Sequence, residues 1–458
     1  MFPHKLNFMT LKKAFIYTSL VFGLITLISY MANAQPRQLS LKEALNLTLT
    51  NNREIRVSSM DVDRSERLTQ VAKSASLPSI GISAQIYHYF YEAPFFGIGG
   101  NGGNSDKISY DRFGGRDQAG ATAWITQPVY NAAIKPGIIN AKLQERQSRL
   151  SVIDKQTDIA AILKQTYIRI LVLHERIKLQ KESLARNEKA LQDAKSLLAQ
   201  GRALRVDTLR AYTSVKNLEP DLLKLSYAIE VGKQQLRTLT GLDSLKEIVL
   251  TDSLILPEAV PVFFQEEEVY NEAKRHRADL QSLDLQQQQS DQQIRIAEAA
   301  MKPSVSLTAQ YLIQTQTNKF DYFNAFYPST PFVGAQFTVP VFNGNSNKAK
   351  VKKAQIEKDQ SVIRSQQAYE ELRTSVKQAV ANVRETAARI QTSDNVKKTA
   401  KLSYEITQYR YAKAVASRLE LTDAELAYTQ AQSNYLEAVY DYLSANIEVE
   451  RTMGVIGR

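Results

Sequence analysis

Four short stretches of the chain alternate apolar and polar residues, whereas most of the remainder follows a longer period. In the clearest stretch Val305, Leu307 and Ala309 alternate with Ser306 and Thr308. A period of two residues is typical of a β-strand with one apolar face. The alternation, taken with the internal repeat described below, predicts strands at about 79–91, 118–130, 304–316 and 332–342.

The longer period predicts helices, two of them in each of two very long hairpins. The hairpins cover about 135–240 and 346–453, where Pro136 and Pro220 are the only prolines and Ala, Leu, Gln, Glu, Lys and Arg dominate. A helix of about 65 residues rises roughly 100 Å, far more than a globular core needs, so coiled-coil-like packing is expected. A further helix opens each half, from the capping box Ser40–Glu43 to about Ala75, and from about Gln265 to Met301.

The chain is an internal duplication with the order helix, strand, strand, long helical hairpin. Pro78 and Pro303 correspond at an offset of 225, and Pro128 and Pro340 at an offset of 212. The offset falls within 86–127, so the first copy carries the longer loop there. The repeats are placed at 35–245 and 265–458 with a linker at 246–264, and polar loops at 92–117 and about 316–331 join the strands. The fold class is therefore mainly α with a small β part.

The N-terminus resembles an export signal. Lys12 and Lys13 precede an apolar run that ends at the small-residue site Ala32–Ala34. The alternative is a single membrane anchor, since the run approaches the ~20 residues that spanning requires. We expect residues 1–34 to be a signal peptide and the mature chain to be exported.

Composition excludes several classes of function. The chain has 58 Lys and Arg, 47 Asp and Glu, four His and no Cys, which rules out disulfides, thiol catalysis and a lipid-modified cysteine. The glycine run from Gly97 leads into a polar loop, whereas a dinucleotide site needs a helix there. No ordered catalytic or metal-binding set is found, so no enzyme activity and no cofactor are expected. Basic and acidic residues alternate along the long helices, which argues against a nucleic-acid groove.

Aromatic residues cluster in and beside the predicted strands. Rings concentrate at the water boundary of membrane β-barrels, where the ring is buried and its polar edge stays hydrated. The alternative is the aromatic core of a soluble sheet. The residues assigned to a membrane interface are Tyr87, Tyr89, Trp124, Tyr130, Tyr311, Phe337 and Phe342.

Four strands are too few to close a barrel across a membrane, because lipid does not tolerate open strand edges and single-chain barrels start at about eight strands. Three chains would supply twelve strands with quasi-sixfold symmetry. Long helices from the same chains would then pack side by side as a tube. The expected architecture is a conduit, with a transmembrane barrel continued by a helical duct.

This pattern resembles the TolC-type outer-membrane efflux proteins over nearly all of the mature chain. The resemblance rests on the duplicated order of elements and on three pairs of short motifs, which are the Pro78-Ser79 and Pro303-Ser304 junctions, the Pro128-Val129 and Pro340-Val341 strand ends, and the closing Gly241 and Gly454. It implies a homotrimer with a 12-stranded barrel and an α-helical barrel in the outer membrane of a Gram-negative-type bacterium. It further implies docking to a periplasmic adaptor (a membrane fusion protein) and to an inner-membrane RND or ABC transporter, with passive export of small molecules, metals or polypeptides.

The resemblance also assigns a periplasmic gate and the tips that meet an adaptor. The gate residues are Tyr411, Glu420, Asp423 and, in the first copy, Asp207; the tips are Gly201, Arg202 and Ala203 in one turn and Ala414, Val415 and Ala416 in the other. Glu420 and Asp423 share a helix face, and three copies would form a carboxylate ring that favours cations. The alternative is a solvated helix N-terminus, where acidic residues are favourable in any protein. The rival function is a periplasmic coiled-coil scaffold or adaptor whose sheet does not contact lipid.

Overall fold

The computed structural model describes residues 37–92, 94–97, 109–112, 114–242, 247–254, 264–413 and 415–455. The expected signal peptide at 1–34 and Ala414 lie outside these residues, as do most of the predicted linker and the part of the glycine run that follows Gly97. Sixteen elements follow in chain order: β1 Arg37–Leu39, α1 Leu41–Asn51, α2 Arg53–Ser74, β2 Ser79–His88, β3 Pro94–Gly97, β4 Ser109–Arg112, β5 Asp117–Asn131, α3 Ile134–Ala199, α4 Arg205–Thr240, β6 Ile248–Leu250, α5 Glu266–His276, α6 Ala278–Ala299, β7 Ser304–Thr317, β8 Ser329–Thr338, α7 Ser346–Ala412 and α8 Arg418–Met453.

The chain divides into two compact units. The first contains the described residues of Met1–Met60, Leu150–Gln281 and Gln367–Arg458, and it is helical apart from the two short strands β1 and β6. Its main core joins α1, α3 and α4 to that strand pair through buried Leu39, Leu163, Tyr167, Leu236 and Ile248. The second unit, Asp61–Arg149 and Ser282–Gln366, contains the main sheet.

The helix predicted to open each half is in fact two helices, and the break comes at equivalent places. Asn52 separates α1 from α2, and Arg277 separates α5 from α6; the two positions differ by 277 − 52 = 225, the offset of the repeat. The side chain of Asn52 accepts a hydrogen bond from the Glu54 N–H at 2.9 Å and donates one to the Leu239 carbonyl at 2.9 Å. Asn52 thus begins the second helix as its cap, which ends the first.

The predicted linker carries structure that its composition did not reveal. Residues Ile248–Leu250 form β6 and pair in parallel with β1 at the start of the chain. Both Leu39 and Ile248 are fully buried. Three-residue strands paired across about 210 positions leave no periodicity to read, and their stability comes from the buried core they join.

The polar loop predicted at 92–117 contains the short antiparallel pair β3 and β4. The last strand also lies nearer the N-terminus than predicted. It is Ser329–Thr338 rather than 332–342, since its partner β7 begins at Ser304, opposite Thr338, and Pro340 has no N–H to donate.

The main sheet is an antiparallel meander in the order β2-β5-β7-β8, so β2 and β8 are its edges. Its two hairpins have the same register. Ser79 pairs with Thr126 in the first hairpin and Ser304 with Thr338 in the second. The differences, 304 − 79 = 225 and 338 − 126 = 212, are the two offsets of the sequence repeat. The duplication is therefore preserved pair by pair in the strands.

Candidate functional site

The two turns that connect the long helices carry the predicted tip residues. In the first, Gly201 has φ +69°, a left-handed conformation that glycine adopts without strain, and its N–H donates to the Leu198 carbonyl at 2.9 Å. The Arg202 N–H donates to the Leu197 carbonyl at 2.9 Å, which closes the end of α3 in the manner of a Schellman motif. Gly201 and Arg202 are exposed, and Ala203 is half-buried.

The second turn ends α7 and begins α8 with a capping box. The Val415 N–H donates to the Arg410 carbonyl at 2.9 Å. Ser417 Oγ accepts from the Glu420 N–H at 3.2 Å, and a Glu420 carboxylate oxygen accepts from the Ser417 N–H at 3.2 Å. These reciprocal bonds satisfy backbone donors that the first helical turn leaves free. Val415 is exposed, and Ala416 is half-buried.

Glu420 therefore has a structural role in the turn. Its hydrogen bonds with Ser417, first from the backbone and then from the side chain, lower the pKa of the Glu420 carboxyl, and Arg410 lies 3.7 Å from the other carboxylate oxygen. Asp207 serves the first turn in the same way, accepting from the Leu204 N–H at 3.3 Å. Glu420 and Asp207, both predicted gate residues, thus each occupy the N3 position of a helix and accept a hydrogen bond from the backbone N–H of its N-cap residue.

The remaining gate residues lie beside the same turn. Asp423 is exposed, one turn along α8 from Glu420. The ring of Tyr411 is half-buried, and the Arg418 guanidinium carbon lies 5.8 Å from its centroid, within cation–π distance. The second turn is thus flanked, between positions 410 and 423, by a tyrosine, two arginines and two carboxylates.

One polar cluster near these turns was not predicted. Glu425 is only 5% exposed, and one of its carboxylate oxygens accepts hydrogen bonds from Arg186 Nε at 3.1 Å and Asn187 Nδ2 at 3.0 Å. The cluster joins α8 to α3. Tyr404 and Tyr428 stack at 5.9 Å between ring centroids. Burial, and after it the Glu425 charge, raises the pKa of Tyr404.

Burial dominates the electrostatics of this cluster. It raises the pKa of the Glu425 carboxyl above its ordinary value, and the hydrogen bond from Arg186 offsets part of that rise. The sequence does contain a signal: Glu425 falls in the stripe that buries Leu421, Ala431 and Tyr435. A carboxylate at a buried position of an otherwise apolar stripe indicates a partner on the neighbouring helix.

The main sheet has one face that is apolar in its middle section. Toward the ends of the strands polar residues interrupt this face, where Gln127 pairs with Leu307, Thr315 with Ala119, and Asp117 with His88. Residues opposite each other in an antiparallel pair point to the same side, so the register defines both faces. The apolar face carries aliphatic and aromatic side chains from all four strands: Ile80, Ile82, Ala84, Ile86, Ala119, Ala121, Ala123, Ile125, Val305, Leu307, Ala309, Tyr311, Ile313, Val333, Ala335 and Phe337.

The opposite face is polar and, among the paired residues, carries no charged side chain. Glutamine and hydroxyl residues predominate on it: Ser83, Gln85, Gln118, Thr122, Thr126, Ser306, Thr308, Gln310, Gln314, Gln316, Thr330, Gln336 and Thr338. The Trp124 ring lies over Gly81, since a Cβ atom built on that glycine would meet ring atom Cζ2 at 2.5 Å. This sheet can separate an apolar environment from a polar, uncharged one.

The predicted interface aromatics divide between the two faces. Tyr311 and Phe337 lie on the apolar face, and Tyr130 pairs there with Val305. Trp124 and Tyr87 lie on the polar face. Tyr89 follows β2, with its ring 6.2 Å from that of Tyr87, and Phe342 is exposed beyond the end of β8.

Two features are absent from the described part of the chain. No group of three or more His, Cys, Asp or Glu side chains there could hold a metal ion. The described helices likewise include none with enough length and apolar character to cross a membrane.

Comparison with known proteins gives the family. The sequence model of the outer membrane efflux protein family matches residues 44–242 and 269–455, one stretch in each half of the chain. The chain is 20% identical over 417 residues to the probable outer membrane lipoprotein SilC of Salmonella typhimurium, with 90% of this chain and 84% of that protein covered. It is 22% identical to the outer membrane protein TolC of Salmonella enteritidis, with 89% and 80% covered.

The same fold is found in solved structures. The Campylobacter jejuni CmeC outer membrane channel matches with a TM-score of 0.72 at 16% identity, over 91% of this chain and 85% of that one. The predicted fold class, the predicted family and the predicted location in the outer membrane are confirmed. With both halves matched by its family model, the chain belongs to the outer membrane efflux protein family.

Proposed function

We propose that the protein is a passive, non-enzymatic export duct formed by three copies of the chain. Three copies of four strands give 3 × 4 = 12 strands for one transmembrane β-barrel, and the long helices line an α-helical duct. An energised inner-membrane transporter, RND or ABC, drives substrates through a periplasmic adaptor into the duct. The cargo is small molecules, metals or polypeptides.

The observation that carries this proposal is the main sheet, which has opposite faces of different polarity and two open edges. Strands β2 and β8 each have a partner on one side within the chain. Lipid cannot satisfy the free N–H and C=O groups of such an edge, so both edges must pair with other copies. The apolar face then contacts lipid and the uncharged polar face lines the lumen.

The internal repeat specifies how the copies pair. Within the chain the second strand of repeat one, β5, pairs with the first strand of repeat two, β7. By quasi-equivalence β8 pairs with β2 of the next copy. Applying the two offsets to the pair Trp124–Gln310 gives Gln336 opposite Gln85, since 124 + 212 = 336 and 310 − 225 = 85. The pair Ile125–Ala309 likewise gives Phe337 opposite Ala84.

The faces agree with this register. Gln336 and Gln85 both lie on the polar face, and Phe337 and Ala84 both lie on the apolar face. The β8–β2 contact is antiparallel, like every other pair in the main sheet. It is a head-to-tail contact, and such contacts close into a ring when the rotation allows.

The two turns between the long helices contain the residues proposed to contact the adaptor. These are the exposed Gly201, Arg202 and Val415, together with Ala203, Ala414 and Ala416. Tyr411, Asp423, Glu420 and Asp207 form the constriction at which the duct closes. Their support is the presence of charged side chains and a ring around the second turn, where Arg410 lies beside the Glu420 carboxylate and Arg418 lies over the Tyr411 ring.

Cysteine cross-linking tests the proposal against a clean background, because the chain has no Cys. Paired substitutions Gln85→Cys with Gln336→Cys, and Ala84→Cys with Phe337→Cys, put the thiols at cross-strand distance in neighbouring copies. Oxidised membranes should then give covalent dimers and trimers on a denaturing gel. The matched control is Gln85→Cys with Phe337→Cys, which places the thiols on opposite faces and should not cross-link. A monomeric protein without cross-links would instead support the periplasmic scaffold.

A further inference from the structure

The ends of three strands lie in one row at one end of the main sheet. Asn131 at the end of β5 pairs with Ser304 at the start of β7, which pairs with Thr338 at the end of β8. The helices that adjoin these strands therefore meet the sheet at the same level. The Asn347 side chain, at the start of α7, donates a 2.8 Å hydrogen bond to the carbonyl of Ala300, the residue directly after α6, and so links these two junctions.

Exposed lysines surround this end of the sheet. We call them the lysine collar: Lys73, Lys135, Lys302, Lys348, Lys350, Lys352 and Lys353. Four of them fall between Asn343 and Ile356, a stretch with no Asp or Glu. The first acidic residue of α7 is Glu357, which lies 3.5 Å from Lys353 in an exposed ion pair. The beginning of α7 thus carries a strong local excess of positive charge.

The collar directly continues an exposed apolar surface. Phe337 is 66% exposed on the apolar face, and beyond the strand Val341 and Phe342 are 92% and 81% exposed. Within about a dozen residues the surface changes from apolar and aromatic to lysine-rich. Apolar surface, aromatic rings and basic side chains in that order match the profile of a membrane leaflet from its hydrocarbon to its headgroups.

Helix stability does not explain the position of these lysines. A solvated helix face usually mixes both signs of charge, whereas the first three turns or so of α7, residues 346–356, carry four lysines and no acidic residue. Lys348 lies in the first turn of α7, where the helix dipole disfavours a positive charge. An external anionic partner accounts for the excess.

We propose that the lysine collar binds the headgroups of anionic phospholipids in the leaflet at which α3 and α7 begin. This inference rests on the proposed function, since it requires the apolar face to lie in the bilayer. Each lysine near an anionic surface strengthens binding about fivefold, and the attraction decays within a Debye length of roughly 8 Å at physiological ionic strength. The collar fixes the depth of the protein in the membrane and selects phosphatidylglycerol-type over zwitterionic lipids.

Native mass spectrometry of the purified full-length protein tests the preference. The protein is titrated with phosphatidylglycerol and phosphatidylethanolamine of identical acyl chains. The wild type should favour phosphatidylglycerol by roughly tenfold or more, and the variant with Lys348, Lys350, Lys352 and Lys353→Gln should lose that preference. The same four positions changed to Arg should keep it. The matched control removes equal charge from the long hairpin: Lys181, Lys189, Lys195 and Lys224→Gln.

The outcomes separate the inference from the proposed function. Equal binding of both lipids to the wild type, or equal loss in the control variant, overturns the collar. So does displacement of phosphatidylglycerol by excess inorganic phosphate beyond that seen with chloride at the same ionic strength, because the patch would then recognise free phosphate. Single-channel conductance of the same preparation is the separate test of the duct. A trimer that conducts ions but shows no lipid preference would refute lipid binding by the lysine collar and leave the proposed duct intact.

Discussion

The carboxylate of Glu425 accepts a hydrogen bond from Nε of Arg186 at 3.1 Å. The bond links α8, which begins after the second turn, to α3, which ends at the first turn. Nη2 of the same arginine is buried without a partner among the described residues. The pair therefore carries a charge-assisted contact in a place where neither group is well solvated. Removing one partner leaves the other charge uncompensated.

Replacing Glu425 with Ala should lower stability by about 2–3 kcal/mol, because Arg186 is left without its counter-charge in a mostly buried position. Glu425→Gln should lose less, since an amide oxygen still accepts from Asn187. The comparison variant is Glu437→Ala, which breaks the 2.8 Å pair with Arg176. The two arginines are equally exposed, but the Glu437 side chain is 61% exposed against 7% for Glu425, so this change should cost under about 1 kcal/mol. Thermal midpoints of the purified protein measure the three effects. Equal losses at 425 and 437 would contradict the burial argument.

The pH dependence follows from the raised pKa of Glu425. A carboxyl whose folded-state pKa lies above its unfolded value destabilises the fold while it is charged, and the destabilisation disappears as pH falls through the folded pKa. Wild-type stability should therefore rise relative to Glu425→Gln when pH is lowered from neutral toward that value. Thermal midpoints of both proteins across this range give the difference. If acidification lowers the thermal midpoint of the wild type relative to that of the variant, the pKa of Glu425 is lowered and not raised.

Replacing Glu420 and Asp423 with Ala should reduce cation preference or loosen closure of the duct, since both carboxylates lie at the second turn. Single-channel recordings of selectivity and leak measure this. Glu420 is also a cap, so Ser417→Ala serves as the control. It removes the capping hydroxyl at a cost of about 1 kcal/mol but leaves both acidic charges in place. If selectivity and leak are unchanged in the double variant, the gate assignment is wrong.

Gly81 and Trp124 provide a test of the sheet that needs no assembly. The chain has a single Trp, so its fluorescence reports on this position alone. Gly81→Ala should displace the Trp124 ring and shift its emission, because the new Cβ would collide with the ring. Gly334→Ala, on the same face with no atom within 4 Å of the built Cβ, should leave the emission unchanged. Identical spectra for both variants would place the ring elsewhere.

Long periodic patterns were sufficient to predict the main helices and the presence of four strands. The helical hairpins are dominated by one periodicity over many turns, and each strand has an apolar side that must face away from water. The breaks at Asn52 and Arg277 were missed because a single capping residue interrupts a pattern that otherwise continues on both sides. Strands β1 and β6 were missed because three residues cannot show a period.

The candidate site could be predicted only in part, because the roles of its residues depend on contacts that a sequence pattern does not contain. The location of Tyr411, Asp423 and the two turns could be predicted from their positions along the chain. That Glu420 is a helix cap as well as a predicted gate acid could not, because this role depends on reciprocal hydrogen bonds with Ser417. Glu425 needed the helix stripe and its partner on α3 to be seen together. Chain position indicates where a polar group is, whereas burial and partners decide its role.

The equal register of the two hairpins has a consequence for the history of the fold. A half-length ancestor with one hairpin would meet each neighbour through the same strand contact, and six copies would close a barrel of the same size. Fusion of two such genes would keep every strand contact while freeing the halves to diverge. The two halves differ in the length of their loops and in the concentration of lysines in α7. An assembly of six identical copies could not have evolved such differences, because all of its copies share one sequence.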